Sequence, residues 1–259
     1  MSALVGLVAV VGLAVGSFHN VVVWRVPRGE SVVRPPSACP ACATPIRPRD
    51  NVPVAGWLLL KGRCRDCDAG ISGRYPLVEL ATALLFGVLA ARLGLDPVLP
   101  AYLYLAAVGL ALALIDLDHH RLPDALTLPS YPVAVLLLGL AALAGSGSGS
   151  LVRALLGGAA MYAVYFALCL AHPRGMGFGD VKLAGVLGLY TGWLGWGSWS
   201  VGLFLGFLFG GVFGIALVAS GRGGRKTKVP FGPFMLLGVL VAVLAGERLA
   251  SAYLALTGV

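Results

Sequence analysis

Charged residues are scarce in this sequence. Only 12% of its 259 residues are charged, whereas 58% are hydrophobic. Soluble globular domains carry about 25% charged residues, so this composition excludes a water-soluble domain of ordinary type. Several continuous apolar runs reach the length of about 20 residues that an α-helix needs to cross a bilayer. The chain is therefore predicted to be an all-α polytopic membrane protein.

The apolar runs predict about eight transmembrane helices. Because no Lys or Arg precedes the first run and no small-residue cleavage site is clear, we expect it to be a retained span rather than a signal peptide. The fourth span is short and flanked by proline, and the sixth is rich in glycine, so either of them is expected to be kinked or re-entrant. The predicted spans are residues 2–23, 77–94, 97–115, 130–145, 151–171, 181–197, 199–219 and 233–256.

The only polar segment large enough to form a small domain is residues 24–76. The sequence accordingly divides into a first transmembrane helix (1–23), this polar domain (24–76) and a transmembrane domain (77–259). Nine of the nineteen Lys and Arg lie in the polar segment, and alternation of the spans puts seven more on the same side. This asymmetry orients that side toward the cytoplasm. Those seven residues are Arg121, Arg174, Lys182, Arg222, Arg225, Lys226 and Lys228.

The net charge of +8 is explained by this orientation in the lipid bilayer. We therefore expect no nucleic-acid partner, although a basic chain can indicate one.

Four of the five cysteines form two pairs within the polar segment. Cys39 and Cys42 make one Cys-x-x-Cys pair, and Cys64 and Cys67 make a second. Two such pairs are typical of a structural zinc site with four thiolate ligands. A pair of disulfides is the alternative, but the predicted cytoplasmic location disfavours it. The segment is thus predicted to be a cytoplasmic zinc-binding domain in which the metal holds together a loop with little apolar core.

Acidic residues are rare too, since the chain has only eleven Asp and Glu. Asp116, Asp118 and Asp124 cluster at the predicted cytoplasmic end of the third span, and Asp180 lies at the cytoplasmic entrance of the sixth. Acidic groups at membrane boundaries are costly and usually face a cavity or a partner. These positions therefore indicate a functional site.

Two carboxyl groups at one membrane face suit peptide hydrolysis by an aspartyl dyad. Such a pair shares one proton, so that one member activates water while the other donates a hydrogen bond to the developing oxyanion. Other roles are open for the clustered acids, because Asp124 can cap the following helix and Asp118 can pair with Arg121. A proton- or cation-coupled transporter that uses Asp116 and Asp180 as a relay is the alternative function.

Three other polar residues near the predicted membrane boundaries are weaker candidates for a functional role. Adjacent His119 and His120 point to different faces of a helix and have no spaced partner, so we expect no catalytic duty for them. Glu79, at the start of the second span, is a better candidate, although the dipole at a helix N-terminus also favours an acid there.

Five segments are informative in combination with the two cysteine pairs. They are GSFHNVVVWRVPR (16–28), GRYPLVELATALLF (73–86), LIDLDHHRLPD (114–124), GMGFGDVKL (175–183) and KVPFGPF (228–234). Taken together, these segments resemble the bacterial type IV prepilin peptidases, which are membrane aspartic proteases of the GxGD class, and they occur in family order along nearly the whole chain. One departure is His19, where the family more often has an apolar residue.

The resemblance implies that Asp116 and Asp180 are the catalytic residues. It also implies the substrates, which are type IV prepilins or pseudopilins whose basic leader is removed after a Gly at the cytoplasmic face of the bacterial inner membrane. On the same basis a supporting role is expected for a small set of neighbouring residues. These are Gly177, Gly179, Lys182, Glu79 and Asp124.

A second activity is implied by the same resemblance. Many family members methylate the newly exposed N-terminus with S-adenosylmethionine, an activity associated with the segment between the first two spans. Because this chain retains that segment, both activities are expected, and no residue is predicted to bind the methyl donor.

Overall fold

The computed structural model describes residues 1–173, 175–221, 224, 227 and 229–257, and helices are the main regular secondary structure of these residues. No β-strand occurs among these residues beyond two isolated bridges. Five basic residues of the predicted charge asymmetry, Arg174, Arg222, Arg225, Lys226 and Lys228, lie outside the described residues. The described α-helices are α1 (Ser2–Arg25), α2 (Ala55–Leu59), α3 (Arg74–Leu93), α4 (Leu99–His119), α5 (Asp124–Ala141), α6 (Ser148–Ala171), α7 (Phe178–Leu194), α8 (Trp196–Ala219) and α9 (Gly232–Thr257).

Seven of the described helices are long and apolar enough to cross a membrane. They correspond to the predicted spans except for the sixth, which is α7. This helix has 17 residues, or about 25 Å at 1.5 Å per residue, and it is buried along most of its length against α5, α6, α8 and α9. The polytopic helical fold is confirmed: among the described residues it has seven long helices and a shorter central helix where about eight spans were predicted.

Helix ends differ from the predicted ones where they matter for the site. The third span was predicted to end before Asp116, but α4 continues to His119, so Asp116 lies in its last turn. His120 then adopts a left-handed conformation, with φ of 51°, and ends the helix. The next helix begins at Asp124 rather than near residue 130, because Pro123 adopts the extended conformation that suits the residue before a helix.

The chain separates into two compact units, Met1–Leu95 and Asp96–Val259. In the first unit α1 packs along α3, and glycines allow the close approach. A methyl group on Gly12 would lie 2.8 Å from the Cα of Ala83, and one on Gly16 would lie 2.6 Å from the Cα of Glu79. The helix that opens the sequence-defined domain 77–259 thus packs within the first unit.

Glycine contacts also join the helices of the second unit. A methyl group on Gly157 of α6 would lie 2.7 Å from the carbonyl oxygen of Gly188 in α7. One on Gly238 of α9 would lie 2.6 Å from the backbone nitrogen of Gly206 in α8. Small residues at helix contacts are how membrane helices gain van der Waals packing without a hydrophobic driving force. These contacts set the helix positions on which the candidate site depends.

Candidate active site

Asp116 is a buried carboxylate in the last turn of α4. Only 4% of its surface is exposed. Its Oδ2 accepts a hydrogen bond of 3.0 Å from the backbone N–H of Gly232, the first residue of α9. The N-terminal end of a long helix, which carries unpaired N–H groups and a partial positive charge, therefore points at this carboxylate.

Asp180 lies in the first turn of α7 and is half-buried. Its Oδ2 accepts a hydrogen bond of 3.1 Å from the N–H of Gly177, and its own N–H donates to the carbonyl oxygen of Gly177 at 3.0 Å. The bond to the Asp180 side chain is one half of a capping box, and because Gly177 has no side chain, its backbone carbonyl accepts the second bond. The glycine-rich approach to α7 therefore holds the carboxylate of Asp180 against the start of the helix.

The second unit brings these two acids together. Asp116 acts electrostatically on Asp180, and the side chain of Leu122 lies beside the helix starts that hold both carboxylates. It contacts Gly179, next to Asp180, and Gly232, which binds Asp116. Neither Gly232 nor Leu122 was singled out from the sequence, although both belong to segments that carry the family resemblance.

The other clustered acids differ from Asp116 in their surroundings. Asp118 is exposed. Asp124 accepts hydrogen bonds of 2.7 and 2.8 Å from the ammonium group of Lys182, which also lies over the ring of Phe178 at 5.1 Å. The pair joins the start of α5 to the start of α7. Of the three clustered acids, Asp116 is the one that combines burial with a hydrogen bond from another helix.

The histidines near the predicted membrane boundaries differ in burial. His119 and His120 are exposed at the end of α4, and the ring of His120 is near enough to act electrostatically on Asp116. His19, where the sequence departs from the family pattern, is buried in α1, and its Nδ1 is 3.1 Å from the Oγ1 of Thr82. Because that hydroxyl donates to the carbonyl of Val78, the histidine Nδ1 is the donor in this contact.

Glu79 belongs to the first unit and has a partner in the polar segment. It is buried, and its Oε2 accepts a hydrogen bond of 2.7 Å from the N–H of Val54, the residue before α2. Val54 has a φ of 59°, which is unfavourable for a β-branched residue. The Glu79 contact therefore anchors a strained turn of the polar segment to α3.

The four paired cysteines form one cluster in the polar segment. Their Sγ atoms all lie within 4.8 Å of one another, and those of Cys39 and Cys67 are 3.7 Å apart. Tetrahedral zinc with Zn–S bonds of about 2.3 Å requires sulfur atoms about 3.8 Å apart. Among the described residues all five cysteines are free thiols. The cluster therefore has the donors and the spacing of a metal site rather than of disulfides.

The two cysteine turns have matching backbones. The N–H of Cys39 donates to the carbonyl of Thr44 at 3.0 Å, and that of Cys64 donates to Ala69 at 2.8 Å. In each turn the residue after the second cysteine, Ala43 or Asp68, adopts a positive φ. Such tight turns aim both thiols of a pair at the same point.

Charge and hydrogen bonding around the cluster favour metal binding. A hydrogen bond with the Thr44 hydroxyl lowers the pKa of the Cys42 thiol to about 6, toward the thiolate form that binds metal. Arg47 pairs with Asp66 at 2.8 Å and joins the two turns, while Arg65 pairs with Asp50 and lowers the pKa of that carboxyl.

These features define a class: a multi-pass membrane protein with a carboxylate pair in its helical unit and a thiolate cluster between its first two long helices. Two family models match the chain. Residues 10–93 match the bacterial peptidase A24 N-terminal domain, and residues 103–215 match the type IV leader peptidase family. The first match lies within the unit Met1–Leu95, and the second lies within the unit Asp96–Val259.

Curated relatives extend the match over nearly the whole chain. A prepilin leader peptidase/N-methyltransferase of Pseudomonas aeruginosa is 37% identical over 95% of this chain and 92% of its own length. Proteins of the same name from Aeromonas hydrophila (37%, covering 96% and 93%) and Neisseria gonorrhoeae (39%, covering 84% of each) are also similar. The chain belongs to the type IV leader peptidase family, which confirms the resemblance seen in the sequence. No solved structure gives a significant match.

Proposed function

We propose that this protein is a membrane aspartic endopeptidase that removes the basic leader of type IV prepilins or pseudopilins, with Asp116 and Asp180 as its catalytic pair. The observation that carries the proposal is the arrangement of these two acids within one unit. One carboxylate is bound by the start of α9 and the other by the start of α7, and they act on each other electrostatically.

Two such groups suffice for peptide hydrolysis. The ionised carboxylate takes a proton from a water molecule, whose oxygen attacks the scissile carbonyl carbon, while the protonated partner hydrogen-bonds the carbonyl oxygen and gives it its proton. The resulting tetrahedral diol then collapses as a proton passes to the amide nitrogen, and the carbon–nitrogen bond breaks. The pair titrates as a unit, so the two roles belong to the dyad rather than to fixed residues.

Burial and pairing support the choice of Asp116 among the clustered acids. Asp118 is exposed to solvent or lipid headgroups, and the charge of Asp124 is offset by Lys182. In the proposed enzyme Lys182 and Asp124 hold the starts of α5 and α7 together, while Gly177 and Gly179 shape the turn that presents Asp180. Glu79 supports the polar segment instead, through its contact with Val54.

The substrate and its location follow from the family. The relatives are named prepilin leader peptidases, and the charge asymmetry of the sequence favours a location of the polar segment and both acids at the cytoplasmic face of the inner membrane. We therefore propose that the leader is cut there after a Gly. Family membership favours this peptidase activity over a proton- or cation-coupled transporter.

The test is leader removal from a prepilin by the purified protein in lipid, followed as a mass change of the substrate. We expect cleavage by the wild type and by Asp118→Asn, and a loss of at least about 1,000-fold for Asp116→Asn and for Asp180→Asn, because the dyad acts as a unit. Full cleavage by either of the last two variants would falsify the catalytic assignment. Absence of cleavage by the wild type across several prepilins would overturn the peptidase function.

We further propose that the same chain methylates the new N-terminal amine with S-adenosylmethionine. The relatives' names include N-methyltransferase, and the first unit matches the N-terminal domain of the bacterial family. The measurement is transfer of a labelled methyl group to a pilin supplied without its leader. Asp116→Asn should retain this transfer, since a processed substrate bypasses the dyad; no transfer by the wild type would overturn the second activity.

We also propose that the cysteine cluster holds one structural zinc ion, bound by Cys39, Cys42, Cys64 and Cys67. Four sulfur ligands leave no position for water, so the metal would stabilise the polar segment rather than take part in hydrolysis.

A further inference from the structure

Leu122 lies in the short turn between α4 and α5, between the two clustered acids Asp116 and Asp124 in sequence. Its backbone follows the left-handed His120 and precedes the extended Pro123. Although it is in a turn, the side chain is 9% exposed. The turn therefore directs a leucine into the helical unit instead of outward.

One side of the Leu122 side chain contacts the start of α7. A methyl group built on Gly179 would lie 3.2 Å from the Cβ of Leu122 and 3.6 Å from its Cδ1, and apart from the chain neighbours of Gly179 and the backbone of its own helix, Leu122 supplies the nearest atoms. Gly179 directly precedes Asp180. Leu122 therefore fills the space beside the backbone that carries the second carboxylate.

The other side of the same side chain contacts the start of α9. A methyl group on Gly232 would lie 3.2 Å from the Cδ2 of Leu122 and 2.9 Å from the Oδ2 of Asp116. The N–H of Gly232 is the group that binds Asp116. The two methyl groups of one leucine thus meet the two helix starts that hold the two carboxylates.

We propose that Leu122 is a positioning residue for the peptidase reaction: its side chain separates the first turns of α7 and α9 and so fixes the position of Asp180 relative to Asp116. The proposal rests on the proposed function, since it concerns the geometry of the same dyad. Leu122 acts through Gly179 and Gly232 and takes no part in proton transfer.

Loss of the Leu122 side chain is expected to slow the chemical step of the reaction. Misplacement of catalytic groups by about 1 Å can cost about 100-fold in rate, because the reacting groups must be aligned before they react. Leu122 is only 9% exposed, so it offers little surface for substrate binding. Loss of Leu122 should therefore lower kcat and leave KM nearly unchanged.

The first test compares Leu122→Ala, Leu122→Met and Leu138→Ala for prepilin cleavage in lipid. Leu138 is a matched control because it is fully buried in α5 and has no part in the site. We expect kcat to fall about 10- to 100-fold for Leu122→Ala with KM within about threefold. Leu122→Met should recover most of the activity, since it restores the volume.

Leu138→Ala separates this role from general destabilisation. It should lower the thermal unfolding temperature at least as much as Leu122→Ala while leaving kcat of the folded protein within about threefold of the wild type. Wild-type kcat in Leu122→Ala, or a loss that appears only in KM, would overturn the proposal. Equal losses of kcat in the two alanine variants would do the same.

A second test uses the unequal surroundings of the two glycines. The three atoms nearest to the added methyl group of Gly179→Ala all belong to Leu122, so Leu122→Ala in the same chain should restore activity at least about fivefold above the product of the two single effects. In Gly232→Ala the methyl group still meets Asp116, so no such restoration is expected. Additive effects in both double variants contradict a positioning role.

The two proposals fail in different ways. If wild-type protein cleaves no prepilin, the proposed function is wrong. If the wild type cleaves and Leu122→Ala cleaves equally fast, the peptidase stands and the positioning role is wrong.

Discussion

The carboxylate of Asp116 and the backbone N–H of Gly232 form a hydrogen bond of 3.0 Å although they are 116 residues apart in the chain. Asp116 lies in the last turn of α4 and Gly232 begins α9, so this bond joins the first and the last long helix of the second unit. The carboxylate of Asp116 lies so close to Gly232 that a side chain at position 232 would collide with it.

Replacing Gly232 with alanine should therefore impair cleavage. The new methyl group would lie 2.9 Å from the Oδ2 of Asp116, which displaces the carboxylate or breaks its hydrogen bond. We expect kcat to fall about 10- to 100-fold. Gly211→Ala in α8 is the control, since a methyl group there meets nothing within 4 Å. Equal activity of the two variants would show that the contact is unimportant for catalysis.

The ion pair between Lys182 and Asp124 should contribute modestly to stability. The Lys182 side chain is 21% exposed and that of Asp124 is 56% exposed, so solvent screens the attraction and a coupling of about 0.5–1 kcal/mol is expected. A double-mutant cycle with Lys182→Met and Asp124→Asn, followed by thermal unfolding in detergent, measures it.

The more exposed pair of Arg63 and Asp68, with 63% and 76% exposure, provides the comparison for that cycle. Its coupling should be about 0.2 kcal/mol or less. If the exposed pair had the larger coupling energy, burial would not be what decides how much each ion pair stabilises the protein.

Loss of one cysteine of the cluster should release the metal. Cys67→Ser removes one of four thiolates, and a three-sulfur site holds zinc less tightly. Metal analysis of protein purified under reducing conditions should give about one equivalent of zinc for the wild type and much less for the variant, with faster proteolysis of residues 24–76. Cys169→Ser, outside the cluster, should retain the metal. Zinc-free wild-type protein would refute the site.

Two tyrosines allow a matched test of a buried hydrogen bond. The Tyr102 hydroxyl donates to the backbone carbonyl of Tyr190 at 2.8 Å, whereas the buried Tyr190 hydroxyl has no hydrogen-bond partner within the described part of the chain. Tyr102→Phe should cost about 1–2 kcal/mol and Tyr190→Phe about 0.5 kcal/mol or less. Both changes keep the edge-to-face ring contact, so thermal unfolding compares the hydroxyls alone. The reverse order of the two costs is the result that contradicts this prediction.

Local patterns predicted the helices and the cysteine cluster well. Apolar runs must be helical in a bilayer because their backbone groups find no partner in lipid, and two Cys-x-x-Cys pairs bring their own turn geometry. The patterns failed at helix ends, as with α4, which continues past Asp116, and α7, which begins and ends three residues before the predicted span 181–197. These ends depend on single residues such as His120 and Gly195, whose positive φ values no hydropathy pattern reveals.

The choice among Asp116, Asp118 and Asp124 shows where sequence reasoning stops. Residues two apart on a helix point about 200° apart, so Asp116 and Asp118 face opposite sides, but the pattern does not say which side is buried. The structure buries Asp116 and exposes Asp118. It also pairs Asp124 with Lys182, 58 residues away.

By itself, the sequence determined that this is a helical membrane protein with acids at the ends of its helices and four thiols in one loop, since composition and short spacings decide these properties. Tertiary structure alone decided that Gly232 binds Asp116 and that Leu122 lies against both helix starts. Those contacts join residues far apart in the chain, and they form only because helices packed through glycines bring three separate turns to one place.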